Sequence, residues 1–214
     1  MSSIYTLSDK KIDGTTPLFL LEFEYKEIEC DLGVYDTLLI TSKNSIKALK
    51  EKIDIAPYLS KKLYCIGEES AKIAKEMGFV DVESLESKNG NEFAKKLASK
   101  LKDRKALLLR PKKVVSKIKS TLQKEGIEID EIVIYETKCK KSNIKLERGS
   151  VVIFSSPSSI ECFFKNYSWR DDLSAVVIGE ITATYMPKEI DFKLSAFNKL
   201  SECVKIAKKI LDEK

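Results

Sequence analysis

The stretch Leu39-Ile40-Thr41-Ser42-Lys43-Asn44-Ser45-Ile46 returns later in the chain as Ile153-Phe154-Ser155-Ser156-Pro157-Ser158-Ser159-Ile160. A second stretch, Cys65-Ile66-Gly67-Glu68-Glu69-Ser70-Ala71, returns as Val177-Ile178-Gly179-Glu180-Ile181-Thr182-Ala183. Both pairs recur at nearly the same offset, so the matches are in register. Each copy runs from an apolar segment through a hydroxyl-rich turn into a helical pattern. A second apolar segment and a Gly-x-x-(Ser/Thr)-Ala turn follow. An apolar run that ends in a Ser/Thr turn and opens a helical pattern is a strand feeding a helix. The repeat therefore predicts two similar parallel-sheet α/β lobes, and matching polar turns on two lobes predict a ligand cleft between them.

Working outward, the pattern alternates. Strands are predicted at Asp36 to Thr41, Lys62 to Ile66, Phe79 to Val82 and Ala106 to Leu109. Helices are predicted after each: to about Ile53, from Glu68 to Met77, from Asn91 to Leu101, and from Pro111 to near Gly126. Such alternation implies a mainly parallel sheet with helices on both faces. Two longer alternating runs, Leu18 to Ile28 and Glu131 to Thr137, flank this unit and are predicted to pair as a two-strand connector. Three further strands, near Val151 to Phe154, Ala175 to Ile178 and Phe192 to Ser195, make a second lobe that recruits Ile4 to Leu7. The chain thus divides into a discontinuous lobe (1–20 plus 139–214), connector strands (21–31 and 132–138) and an inserted lobe (32–131).

Composition narrows the chemistry. The 214 residues suit one large domain or two of about 100. Lys and Arg number 38 against 33 Asp and Glu, a net charge of +5, and the two signs are interleaved. That balance permits an acidic small molecule and gives no support to nucleic acid as a partner. No apolar run approaches the roughly 18 residues of a membrane span. The N-terminus lacks the basic start and apolar core of a signal peptide, so a cytoplasmic location is expected. The cysteines (Cys30, Cys65, Cys139, Cys162 and Cys203) are odd in number, scattered and without a C-x-x-C pair. They read as reduced, buried thiols. The chain has no histidine. This removes His-dependent triads and His-based zinc sites, and it leaves proton transfer to Tyr, Lys, carboxylates, thiols, water or backbone groups. No P-loop or G-x-G-x-x-G turn is present, so no nucleotide cofactor is expected.

Ligands of open α/β sheets bind beyond the carboxyl ends of the strands. Thr41-Ser42, Gly67 to Ser70, Ser155 to Ser159 and Gly179 to Thr182 all fall there. Any one of them alone reads as a helix cap. Together, on two lobes, their hydroxyls and free N–H groups read as anion-binding turns.

The order of these motifs resembles the uroporphyrinogen-III synthase family. The resemblance is carried by Tyr35-Asp36, Thr41-Ser42-Lys43-Asn44, Ile66-Gly67 with Ser70-Ala71, and Leu109-Arg110. It continues through Val133-Ile134-Tyr135-Glu136-Thr137, Phe154-Ser155-Ser156-Pro157-Ser158, and Ile178-Gly179 with Thr182-Ala183. It departs from the family pattern at Ser70, where Thr is common, at Glu180-Ile181, and in a short N-terminal segment. The resemblance implies two lobes on a two-strand connector and a reaction without cofactor or metal. Its substrate would be the linear polycarboxylate hydroxymethylbilane, which loses water and closes with its terminal pyrrole inverted. Tyr135 would assist loss of hydroxide. Thr41, Ser42, Gly67, Ser70, Arg110, Ser155, Ser156, Ser158, Gly179 and Thr182 would hold the substrate. The chain would act as a monomer without nucleic acid or membrane. A second reading is a two-lobed protein that binds a small polyanion without catalysis.

Overall fold

The computed structural model describes residues 3–7, 12–87 and 89–213. The chain forms two compact units, one of Met1–Glu22 with Lys138–Lys214 and the other of Phe23–Thr137. In chain order the strands are β1 (Ile4–Thr6), β2 (Thr16–Pro17), β3 (Leu21–Tyr25), β4 (Thr37–Ile40), β5 (Lys62–Ile66), β6 (Val82–Leu85), β7 (Ala106–Pro111), β8 (Ile129–Cys139), β9 (Val151–Phe154), β10 (Ser174–Val177) and β11 (Phe192–Leu194). The helices are α1 (Lys43–Lys52), α2 (Glu68–Glu76), α3 (Gly90–Ala98), α4 (Ile118–Lys124), α5 (Pro157–Asn166), α6 (Glu180–Ala183) and α7 (Leu200–Asp212).

The continuous unit is built on a sheet of order β3-β8-β7-β4-β5-β6, in which the strands from β8 to β6 are parallel. Helices cover both faces, so β4 is buried along its whole length and reads as an unbroken apolar run. Leu38, Ile40, Leu107 and Leu109 point into a core with residues of α1 and α2. Leu39, Ala106 and Leu108 point the other way, into a core with Phe93, Leu97, Ile118 and Leu122 of α3 and α4. The edge strand β3 runs antiparallel to β8. The Lys26 N–H donates to the Ile134 carbonyl (2.9 Å) and the Lys140 N–H to the Leu20 carbonyl (2.8 Å). The chain passes between the two units inside β3 and again inside β8.

The discontinuous unit holds a parallel sheet of order β11-β10-β9-β1-β2. Its cores are made by Val152, Phe154, Phe163 and Val177 on one face and by Val151, Ile153, Val176 and Cys203 on the other.

Four sequence expectations need correction. The alternation from Leu18 to Ile28 is real but spans a change of sheet: Thr16 and Pro17 pair with β1, and the connector strand starts only at Leu21. The helix expected from Pro111 begins at Ile118, because β7 continues to Pro111 and the Lys112 N–H still bonds the Tyr135 carbonyl (2.9 Å). The strand expected at Phe79 lies at Val82–Leu85. Phe79 instead closes the end of α2, where Gly78 turns at φ +99° and the Phe79 N–H bonds the Ala74 carbonyl. Finally, Cys139 and Cys162 form a disulfide, so not all the thiols are free. Scattered spacing concealed that α5 lies against the segment leaving β8. Asn166 of α5 bonds both the Lys140 carbonyl and the Ser142 N–H there.

Candidate functional site

Ser42 caps α1 with extended backbone, and its hydroxyl accepts the Asn44 N–H at 3.2 Å. The Tyr135 phenol lies beside the same hydroxyl, close enough to be influenced by it. Two residues far apart in sequence, both singled out from it, therefore meet in the continuous unit. What brings Tyr135 there is a bulge. Along β7 and β8, Arg110 faces Val133 but Pro111 faces Tyr135, so Ile134 is an extra residue on β8. A bulge locally breaks the two-residue alternation of a strand. Ile134 (0% exposed) and Tyr135 (5%) consequently belong to the same core, where strict alternation would have separated them. Phe23 of β3 meets the Tyr135 ring edge-on, with centroids 6.0 Å apart. Burial pushes the Tyr135 phenol above its ordinary pKa near 10, and the neighbouring Ser42 hydroxyl only partly opposes this. The group is thus a neutral donor at neutral pH, sheltered from bulk water beside one hydroxyl.

Thr41 and Arg110 lie on the opposite face of the same sheet, the face of Leu108, α3 and α4. They line a cavity of about 280 Å³ with Glu131 and residues of the 112–120 segment. Arg110 is not a free cation. Its Nη1 donates to the carbonyls of Pro111 (3.0 Å) and Lys112 (3.2 Å), and its Nη2 donates to Glu131 (3.0 Å). Its Nε is buried and has no partner among the described residues. The guanidinium mainly holds its own loop.

The other turns fall at strand ends as expected, but their parts differ. Gly67, before α2, has φ +76° with open space where a side chain would stand, so glycine serves the backbone there. Gly179, before α6, is extended at φ −175°, a conformation open to any residue. Its lack of a side chain matters because the Asn198 amide oxygen lies 2.1 Å from where a Cβ would be. Ser70 and Thr182 are both buried in the helices that follow. Glu68 and Glu69 in the first turn of α2 already offset the positive helix end. In the discontinuous unit the Ser155 hydroxyl donates to the Leu7 carbonyl (3.0 Å). Ser156 and Ser159 form a reciprocal capping box, and Ser158 is half-buried behind them. Among the described residues no cluster of His, Cys, Asp or Glu is placed to hold a metal.

Sequence reasoning missed two residues. Asn198 fills the space over Gly179, and Gly90 lies so close to Ser116 that a Cβ would stand 2.4 Å from the serine Cβ. The only sequence signal for the second was the Asn89-Gly90 turn, which shows where the chain bends and not what approaches it.

Fold and site together define a class: a protein of two doubly wound α/β units linked by a strand pair, with hydroxyl-bearing turns at the strand ends and a buried tyrosine beside one of them. The model of the uroporphyrinogen-III synthase HemD family matches residues 17–191. The chain belongs to that family. A curated relative, the porphyrin biosynthesis protein HemD of Ruminiclostridium josui, is 26% identical over 166 residues, which cover 70% of this chain and 32% of that protein. The chain therefore spans about a third of the length of that relative. Among solved structures, the uroporphyrinogen-III synthetase of Helicobacter pylori superposes with a TM-score of 0.83 at 24% identity, over 98% of this chain and 100% of that one. A mutant uroporphyrinogen III synthase of Thermus thermophilus gives 0.59 at 12% identity, with both chains fully covered. These likenesses establish the shared fold. No helix among the described residues is long and apolar enough to cross a membrane.

Proposed function

We propose that this chain is a hydro-lyase that closes hydroxymethylbilane to uroporphyrinogen III, with loss of water and inversion of the terminal pyrrole. The observation that carries the reading is the Ser42–Tyr135 pair in a chain of this family. Loss of hydroxide from a hydroxymethylpyrrole is driven by the lone pair of the ring nitrogen. It needs one weak acid and no strong base, which suits a chain without histidine. A buried phenol beside a serine hydroxyl is such an acid. It donates its proton to the departing oxygen and regains one from the proton lost at ring closure. The cation so formed is attacked by the substituted carbon of the terminal pyrrole, and the spiro product fragments and recombines with that ring inverted. The remaining task is orientation, holding the flexible chain so that direct closure does not win.

The substrate's carboxylates would be met by the turns at Thr41-Ser42, Gly67 to Ser70, Ser155 to Ser158 and Gly179 to Thr182. The enzyme would act as a cytoplasmic monomer without cofactor, on a small molecule alone. Incubation with fresh hydroxymethylbilane in the presence of a chelator, followed by oxidation and chromatography of the ring isomers, tests the reading. Type III product supports it. Type I alone, the product of unassisted closure, refutes it and favours a binding protein.

A further inference from the structure

In the continuous unit the chain leaves β4 through β5 and β6 on one side, then returns to β7 and β8 on the other side of β4. The point where an open sheet reverses its winding is the gap between β4 and β7, and such sheets bind ligands just beyond it. The cavity holding Thr41 and Arg110 lies at that point, since Thr41 follows β4 and Arg110 lies near the end of β7. It sits on the α3–α4 face, whereas Tyr135 belongs to the core on the α1–α2 face.

Its lining sets cations and hydroxyls beside the apolar side chains of Leu108, Val114 and Ile118. Arg110, Lys117 and Lys119 contribute three positive charges against the single carboxylate of Glu131, which already pairs with Arg110. Neither Lys117 nor Lys119 is paired with a carboxylate among the described residues. Ser116 adds a hydroxyl, and Ser120 adds another that donates to the Lys117 carbonyl at 3.2 Å. The wall is built rather than loose. Ser116 is seated directly on Gly90, where no side chain would fit, and the Lys117 N–H donates to the Asn91 side chain at 3.0 Å. An excess of cations at a switch point, with donors and little acceptor capacity, selects an anion.

We propose that this cavity is an anion site, separate from the Ser42–Tyr135 pair, that takes a single carboxylate or phosphate group held by Lys117, Lys119 and the hydroxyl of Ser116. The group is either a free small anion or one carboxylate arm of the substrate, and the second alternative rests on the function proposed above.

Inorganic phosphate is the probe. Backbone amide signals of the full chain are followed by NMR as phosphate is added at constant ionic strength. Saturable shifts at Ser116, Lys117 and Thr41 are expected. In Lys117→Ala/Lys119→Ala the apparent Kd should rise about tenfold or more, the size expected when hydrogen bonds to a charged group are lost. Absence of saturable shifts, or shifts that are equal in the double variant, would overturn the site. Turnover of the wild type then separates the sources. Phosphate that raises the KM for hydroxymethylbilane competitively marks a substrate arm, and saturable binding without effect on that KM marks a free-anion site. Should the wild type form no type III isomer, the functional reading falls while the phosphate titration still decides the site.

Discussion

Replacing Tyr135 by Phe removes one oxygen and keeps the ring against Phe23. Tyr135 is 5% exposed and its phenol lies beside the Ser42 hydroxyl, whose oxygen accepts the Asn44 N–H. Ser42 therefore keeps its cap on α1. The stability cost should be about 1 kcal/mol, the ordinary net value of one hydrogen bond. The cost in rate should be larger. General acid help is worth about 10²–10⁴-fold. The pyrrole nitrogen supplies most of the push, so the expected loss is near the lower end, about 100-fold or about 2.7 kcal/mol in barrier. The pH profile adds an independent check. A phenol whose folded pKa is raised contributes stability that is intact below the unfolded pKa near 10 and lost as pH rises through the folded value. Wild-type stability should begin to fall above the unfolded value near 10 and turnover only as pH rises through the raised folded value, and the Tyr135→Phe profile should lose the limb due to this group. Ser42→Ala completes a double-mutant cycle, read in single-turnover rate. If the two residues act as one device, the double variant should be little slower than Tyr135→Phe. Unchanged single-turnover rates in Tyr135→Phe, or strictly multiplicative losses in the cycle, would refute the reasoning.

Further outcomes follow from other parts of the molecule. Denatured without reductant, the protein should titrate three thiols, and five after reduction, because Cys139 and Cys162 are joined; five without reductant would contradict the bond. In the native state an alkylating reagent at pH 8 should reach half-buried Cys30 first, since Cys65 is buried with its pKa pushed up to about 12 and Cys203 is buried too; peptide mapping reads the order. Gly67→Ala should destabilise by about 1–3 kcal/mol through its backbone conformation alone, which is open essentially only to glycine. Gly179→Ala should perturb the Asn198 segment instead and be partly relieved by Asn198→Gly, whereas equal costs with no relief would contradict the two distinct roles. Thr182→Ala should weaken product binding by roughly 1.5–3 kcal/mol if its hydroxyl meets a carboxylate, measured by titration.

The sequence carried the architecture well where one physical signal dominated. The apolar run at Leu38-Leu39-Ile40, ending in a hydroxyl-rich turn, reads as a strand covered on both faces, and the repeat around Ser42 and Ser156 located two strand-to-helix turns that both act as caps. It carried less where long-range geometry decides. Periodicity assigned Tyr135 and Ile134 to opposite faces, and the bulge that unites them depends on register with Pro111, which no local pattern records. Gly67 and Gly179 look alike in the repeat yet answer to a dihedral angle in one case and to a neighbour far along the chain in the other. Arg110 reads as a cation awaiting an anion, and only the fold reveals that two carbonyls and Glu131 already occupy most of its donors. Cys139 and Cys162 meet only because α5 folds back on the end of β8.

The most direct test of the central claim is the isomer ratio as a function of enzyme concentration at fixed hydroxymethylbilane. Spontaneous closure gives type I at a rate independent of protein, so the two routes compete within each sample. The account predicts that the type III fraction rises toward completeness as wild-type protein is added. It also predicts that Tyr135→Phe needs about 100-fold more protein for the same fraction, the lower end of general acid assistance. A type I product that persists at saturating wild-type protein would contradict it.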